Sequence, residues 1–230
     1  MAKSIYIVDD DINICEILKK YLTKELFEVE VFTSPIQALK KVTASKPDMF
    51  VLDITMPDMD GFELCKEIRK ISNAPIIFAS ARGEELDKLV GLEIGGDDYL
   101  AKPYSPRELV ARVKVIFRRI SATFAKTSEN EELIIGNLCI DIKGRKVLCN
   151  GIEITLTTKE FDVIKYFSNA IGKAFDRNQL ITDLWGFDCQ VNDRIVDDLI
   201  KRLRKKLQSA NSTFTIQTVW GFGYKGELAE

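Results

Sequence analysis

The sequence predicts an α/β chain in which a doubly wound, five-stranded parallel sheet is followed by a smaller α+β domain. Three observations carry this reading. Short β-branched runs alternate with helical periodicity five times before residue 120. A polar, aperiodic stretch from Ser121 to Glu132 then breaks the pattern and reads as a linker. Beyond it, alternating segments punctuated by Gly and Asn give way to three helical stretches and a Gly-rich β pattern.

In chain order, Ile5 to Val8 is the first strand and ends in Asp9-Asp10-Asp11. Ile14, Ile17, Leu18, Tyr21 and Leu22 recur at helical spacing. Val29 to Phe32 alternates as a strand, and Ser34-Pro35 opens the next helix. Met49 to Asp53 is a third strand: an apolar run that ends abruptly in a carboxylate and enters a Pro- and Gly-punctuated loop. A helix follows from Gly61, then a strand over Pro75 to Ala79 that ends at Ser80. Leu86, Leu89, Val90 and Leu92 predict a helix, Tyr99 to Ala101 a fifth strand closed by Lys102-Pro103, and Ser105-Pro106 starts the last helix of this half.

Five βα units imply a parallel sheet with helices on both faces, in the flavodoxin-like order 2-1-3-4-5. In that order the ligand site lies beyond the strand ends, between strands one and three. Asp9, Asp10 and Asp53 converge there, with Ser80 and Lys102 on the same rim. Three carboxylates in one pocket need a cation, because like charges raise one another's pKa. An all-oxygen set suits Mg2+ or Mn2+. Asp53 is then the nucleophile for phosphoryl transfer, with Lys102 stabilising the transferring charge and the Ser80 hydroxyl donating to its oxygens. The plainer alternative is that Asp53 only starts a loop and Lys102 is a solvated lysine.

Composition narrows the field. The 230 residues include no histidine, which removes Ser-His and Cys-His nucleophile pairs and His-liganded zinc. Five scattered cysteines without a C-x-x-C pair predict reduced thiols in a cytoplasmic protein. No apolar run approaches the ~20 residues of a membrane span, and Met1-Ala2-Lys3 leads into a strand with no signal peptide, so a membrane partner is not expected. The net charge of −2 means that any nucleic-acid site must rest on a local cluster.

Residues 1–120 resemble the receiver domain of two-component response regulators. The motifs are Val8-Asp9-Asp10, Asp53 with Met56-Pro57 and Asp60-Gly61, Ser80-Ala81-Arg82, Gly95-Gly96-Asp97-Asp98-Tyr99 and Lys102-Pro103. The resemblance implies a partner sensor histidine kinase that phosphorylates Asp53. It implies that the main-chain carbonyl of Thr55 joins Asp9, Asp10 and Asp53 around the metal, and that Ser80 and Tyr99 form a switch pair, the ring turning inward. It also implies a homodimer on phosphorylation, through Lys88, Leu92, Asp97, Asp98, Glu108 and Arg112. Gly96 departs from the family's usual Ala.

In the second half, Leu133 to Thr157 predicts a small antiparallel sheet with turns at Gly144 and Asn150-Gly151. Thr158-Lys159-Glu160 opens one helix, Asp176 caps a second that ends at Gly186, and Asn192 or Asp193 caps a third, Arg194 to Leu207. Val196, Ile200, Leu203 and Leu207 form one buried stripe of that third helix. Outside the stripe, Lys201, Arg202, Arg204, Lys205 and Lys206 crowd together. Phe214 to Val219 and Tyr224-Lys225 form a two-stranded ribbon. Three helices and a ribbon make a winged helix-turn-helix, whose third helix enters the major groove of double-stranded DNA. A basic helix end also suits the helix dipole, which is the plainer reading of the cluster.

This half resembles the effector domain of the OmpR/PhoB family, on Leu156 to Phe161, Leu184-Trp185-Gly186, Asp193 to Asp197, Arg202-Leu203-Arg204 and Gly221-Phe222-Gly223-Tyr224. It implies promoter binding in which Arg194, Lys201, Arg202 and Arg204 face DNA, with Asp198, Lys205, Trp220 and Lys225 at the same surface and RNA polymerase as a further partner. Asp198 and Leu199 depart from several relatives, which bears on base preference. Trp220 stands where many relatives place an arginine, and Lys225 is the substitute cation. The expected organisation is a receiver over 1–120, a linker over 121–132 and a DNA-binding domain over 133–228. The expected function is a transcriptional response regulator, not an enzyme beyond assisting its own phosphotransfer and dephosphorylation. A phosphohydrolase of the haloacid dehalogenase type needs a second carboxylate at position 55, which is Thr55. A flavodoxin-like electron carrier needs a phosphate cradle where Asp9-Asp10-Asp11 repels one. A constitutive DNA binder has no use for Asp9, Asp10, Asp53, Ser80 and Lys102 together.

Overall fold

A computed structural model describes residues 2–80, 94–125, 132–185 and 194–229, apart from the side chains of Ser80, Arg119, Arg194 and residues 121–125. The helix expected through Leu86 to Leu92, Lys88 and Leu92 as dimer residues, Gly186, and the Asn192 or Asp193 cap lie outside the described residues. The chain divides into two compact units, Met1–Arg118 and Arg119–Glu230.

The first unit runs β1 (Ser4–Val8), α1 (Ile12–Lys24), β2 (Glu28–Phe32), α2 (Pro35–Ala44), β3 (Met49–Leu52), α3 (Gly61–Arg69), β4 (Ile76–Ser80), β5 (Asp98–Ala101) and α4 (Pro106–Ala125). The strands pair in parallel in the expected order β2-β1-β3-β4-β5. β3 is buried at every residue, as a central strand covered on both faces must be. Tyr6, Val8, Phe50, Leu52, Ile76 and Phe78 pack with Ala38 and Val42 of α2 and Leu64, Cys65 and Ile68 of α3. The alternate residues Ile5, Ile7, Val51 and Ile77 are buried on the other face. α4 continues to Ala125, inside the segment expected to be linker.

The Asp11 side chain accepts from Asn13 N and caps α1. Asp60 accepts from Glu63 N at 2.8 Å and caps α3. Gly61 follows because a Cβ there would overlap the main-chain oxygen of Asp53. The start of α3 is therefore pressed directly against the end of β3.

In the second unit β6 (Glu132–Ile135), β7 (Leu138–Asp141), β8 (Lys146–Cys149) and β9 (Ile152–Glu153) form an antiparallel meander. Asn150 and Gly151 both take positive φ, 50° and 80°, in the turn predicted there. α5 (Thr158–Ser168) opens with a capping box between Thr157 and Glu160. β10 (Ala174–Asp176), α6 (Arg177–Trp185), α7 (Arg194–Ser209), β11 (Phe214–Val219) and β12 (Gly223–Leu228) complete the unit. The expected two-stranded ribbon is a three-stranded sheet, order β10-β12-β11. β10 is too short to show alternation, and its Asp176 doubles as the α6 cap by accepting from Gln179 N. Among the described residues no helix is long and apolar enough to cross a membrane.

Candidate functional site

β1 and β3 are neighbours, so the residues just past them meet. Asp53 N donates to Val8 O at 2.8 Å, and one oxygen from each of Asp9, Asp10 and Asp53 lies within 4.8 Å of the others. Asp9 and Asp53 are buried, whereas Asp10 is exposed. Lys102, delivered by the end of β5, donates to Asp9 Oδ2 at 2.7 Å and lies 3.2 Å from Asp53 Oδ2. The second Asp53 oxygen accepts from Ile54 N at 2.8 Å, and Asp9 Oδ1 accepts from Asp11 N at 3.0 Å.

Electrostatics follow from this packing. Burial pushes the Asp53 carboxyl above its ordinary range, Lys102 opposes that, and Asp9 adds to it. For Lys102, burial alone pulls downward, but the bond to Asp9 and the charges of Asp53 and Asp9 more than reverse it. One ammonium serves two buried carboxylates while a third acid stands beside them. The all-oxygen donor set and the residual negative charge fit a hard divalent cation such as Mg2+. Thr55 is exposed on the loop beyond β3, and Tyr99 is buried against the β4 side of the sheet core. The Ser80 side chain lies outside the described residues.

The expected dimer face is partly corrected. Asp97 is 2% exposed, and Arg69 Nη2 meets it at 3.0 Å while Ile76 N donates to it. It is an internal strut, not a surface group. Its neighbour Asp98 pairs with Arg112 at 3.1 Å, and Arg112 reaches Glu108 at 3.0 Å along α4.

The basic helix α7 also sorts differently from expectation. Its buried face is wider than the predicted stripe, because Ile195 and Leu199 join it. Leu199 is thus a core residue with no surface for base preference. Lys201 and Lys205 are exposed, with half-exposed Asp198 on the same face at helical spacing. Lys206 donates to the buried Glu160 at 2.6 Å, and Arg202 lies 3.9 Å from the same carboxylate. Arg204 turns to the wing: it donates to Ile216 O at 2.6 Å and Thr218 Oγ1 at 2.9 Å. Trp220, at the turn between β11 and β12, is 92% exposed. Lys225 pairs with Glu227 at 2.6 Å. The Arg194 side chain lies outside the described residues.

Three residues to which the sequence alone assigned no role organise this surface. Asp197 accepts from Tyr224 Oη at 2.6 Å and from Arg177 Nε at 2.8 Å, locking α7, the wing and α6 together. The Arg177 and Arg204 guanidinium groups both lie over the Tyr224 ring, at 5.0 and 5.4 Å from its centre. The available signal was the acid pair Asp197-Asp198 near the start of a cation-rich helix.

Comparison with known proteins accords with this geometry. Residues 5–114 match the family described as response regulator receiver domain, and residues 151–226 match the one described as transcriptional regulatory protein, C terminal. The chain is 39% identical over 96% of its length to the uncharacterized transcriptional regulatory protein YclJ of Bacillus subtilis, covering 97% of that protein. It is 38% identical over 99% of its length to the transcriptional regulatory protein SrrA of Staphylococcus aureus, again covering 97%. The crystal structure of response regulator DrrB, a Thermotoga maritima OmpR/PhoB homolog, shares 31% identity at a TM-score of 0.52, with 100% of each chain covered. With an acidic pocket at the β1 and β3 ends and a basic helix braced to a wing, the chain belongs to the two-component response regulators of the OmpR/PhoB family, a receiver domain joined to a winged-helix DNA-binding domain.

Proposed function

We propose that this transcriptional regulator accepts a phosphoryl group on Asp53 from a partner histidine kinase, dimerises through its receiver, and binds promoter DNA through α7 and the wing. The observation that carries the proposal is the buried Asp53 carboxylate, free of any acidic group at position 55 and held beside Asp9, Asp10 and Lys102. In the reaction an Asp53 oxygen bonds to phosphorus as the phosphorus–nitrogen bond of the donor breaks, and the electron pair leaves with the donor imidazole. Lys102 faces the charge that builds on the phosphoryl oxygens. Asp9, Asp10, Asp53 and the Thr55 carbonyl are the residues to hold Mg2+ or Mn2+, which supplies charge neutralisation when bound. Ser80 and Tyr99 report the phosphoryl group to the rest of the receiver. The chain acts on no external substrate.

The ion pairs of Arg112 with Asp98 and Glu108 support a dimer face, since a two-fold axis lets such pairs exchange between copies. Two copies then read paired half-sites about one DNA turn apart, where RNA polymerase is the further partner. Exposure of Lys201, Lys205 and Trp220 supports their contact with DNA, alongside Arg194 and Asp198. The test is radiolabelled acetyl phosphate with Mg2+ on the wild-type chain and on Asp53→Asn. The wild type is expected to be labelled and the variant not. An unlabelled wild type, or a label that survives on Asp53→Asn, refutes the assignment.

A further inference from the structure

Two residues beyond Lys102, in the segment joining β5 to α4, Tyr104 ends in a buried hydroxyl with no hydrogen-bond partner among the described residues. Buried polar groups are normally satisfied, so an orphan of this kind points to a missing partner. Burial pushes the phenol upward, and Asp9, Asp53 and Cys15 push it the same way. A phenol is protonated at neutral pH in any case, so the group is a donor beside acids. The Cys15 thiol is already committed to the main-chain oxygen of Asp9 at 3.4 Å. Each Asp9 carboxylate oxygen, by contrast, uses one acceptor site, for Asp11 N and for Lys102, and keeps another open. A phenylalanine would fill the same space without an unsatisfied oxygen.

We propose that Tyr104 is a positioning residue of the phosphoacceptor pocket, whose hydroxyl donates through one bound water to the Asp9 carboxylate and so orients the acid pair that holds the divalent cation. A buried water bridging two or more polar groups is the ordinary way such an orphan is satisfied. The inference rests on the phosphoacceptor reading above, because it assigns Tyr104 to the outer shell of that pocket. Groups in this position orient the ligands themselves, and their loss commonly weakens metal binding ten- to a hundredfold, roughly.

The test is calorimetric titration of Mg2+ into the unphosphorylated full chain, wild type against Tyr104→Phe, with melting followed in excess chelator and in excess Mg2+. The variant is expected to bind Mg2+ about tenfold more weakly. Its metal-free melting temperature is expected to equal or exceed that of the wild type, and its Mg2+-linked rise in melting temperature to shrink. Labelling of Asp53 slows at limiting Mg2+ and recovers at saturation. Equal Mg2+ affinity in the two proteins overturns the proposal and leaves the hydroxyl as a plain unpaired group. A labelling defect that persists at saturating Mg2+, or a lowered metal-free melting temperature, also overturns it, because the hydroxyl then acts elsewhere. If the wild type itself binds no Mg2+, the phosphoacceptor reading falls along with it. If the wild type binds Mg2+ and takes label while the variant matches it, only the role of Tyr104 falls.

Discussion

Replacing Arg204 by Ala separates bracing from DNA contact. The side chain makes two charge-assisted hydrogen bonds to β11, at 2.6 and 2.9 Å, and lies over the Tyr224 ring. Such bonds contribute about 1.5–3 kcal/mol each, and a cation over a ring at a half-exposed site adds about 0.5–1 kcal/mol. Discounted for partial exposure, the truncation should destabilise the second unit by about 2–4 kcal/mol. For a domain of this size that lowers the melting temperature by about 10 °C or more. Lys201 and Lys205 are exposed and make no ion pair among the described residues, so Lys201→Ala should leave stability within about 0.5 kcal/mol. Fluorescence anisotropy on a half-site duplex across a salt series completes the comparison. Lys201→Ala should reduce the slope of log affinity against log salt by about 0.9, the signature of one lost phosphate contact. Arg204→Ala should weaken binding at a wild-type slope. An Arg204→Ala protein with a wild-type melting temperature and a slope reduced by about one would show that Arg204 grips phosphate, and the bracing argument would be wrong.

Arg69→Met should cost the receiver about 3–5 kcal/mol in urea unfolding, because it removes the cation that faces the buried Asp97 carboxylate and releases the Gly95 and Ala74 carbonyls; a loss under about 1 kcal/mol refutes this. Gly61→Ala drives a Cβ into the main chain of Asp53 and Ile54, so a loss of about 1–3 kcal/mol and slower Asp53 labelling are expected together. The second unit should also show an alkaline limit. Burial first, then the bond to Asp197, raises the Tyr224 phenol despite the opposing Arg177. The stabilisation is full below the ordinary phenol value and lost as pH climbs through the raised one, so Tyr224→Phe should flatten the fall in stability above about pH 10.

The parallel sheet was legible because β3 and its neighbours are buried on both faces and so read as uninterrupted apolar runs. The pocket was legible for a related reason: a strand end is a fixed address, and parallel strands bring Asp9, Asp53 and Lys102 to the same one. Direction of a side chain was not legible where two like residues are adjacent. Asp97 and Asp98 read alike, yet one is sealed under Arg69 and the other faces α4. The cation cluster of α7 failed similarly, since spacing alone does not reveal that Glu160 claims Lys206 or that β11 claims Arg204. Tyr104 left no trace at all, because an aromatic after Lys-Pro looks like any other core residue.

The place of β12 in the middle of its sheet bears on how the protein comes into being on the ribosome. β10 and β11 each pair with β12 and not with one another, so neither has a partner until residues Gly223–Leu228 have been synthesised. Gly226 must also arrive before the Phe167 Cβ and the Phe214 ring can close over it. The receiver strands, by contrast, are all available by Ala101, well over a hundred residues earlier in translation. Vectorial synthesis therefore lets the receiver fold first while the DNA-reading half waits as an open chain. A nascent polypeptide interrupted between Ala101 and Gly223 carries a complete set of receiver strands and no wing.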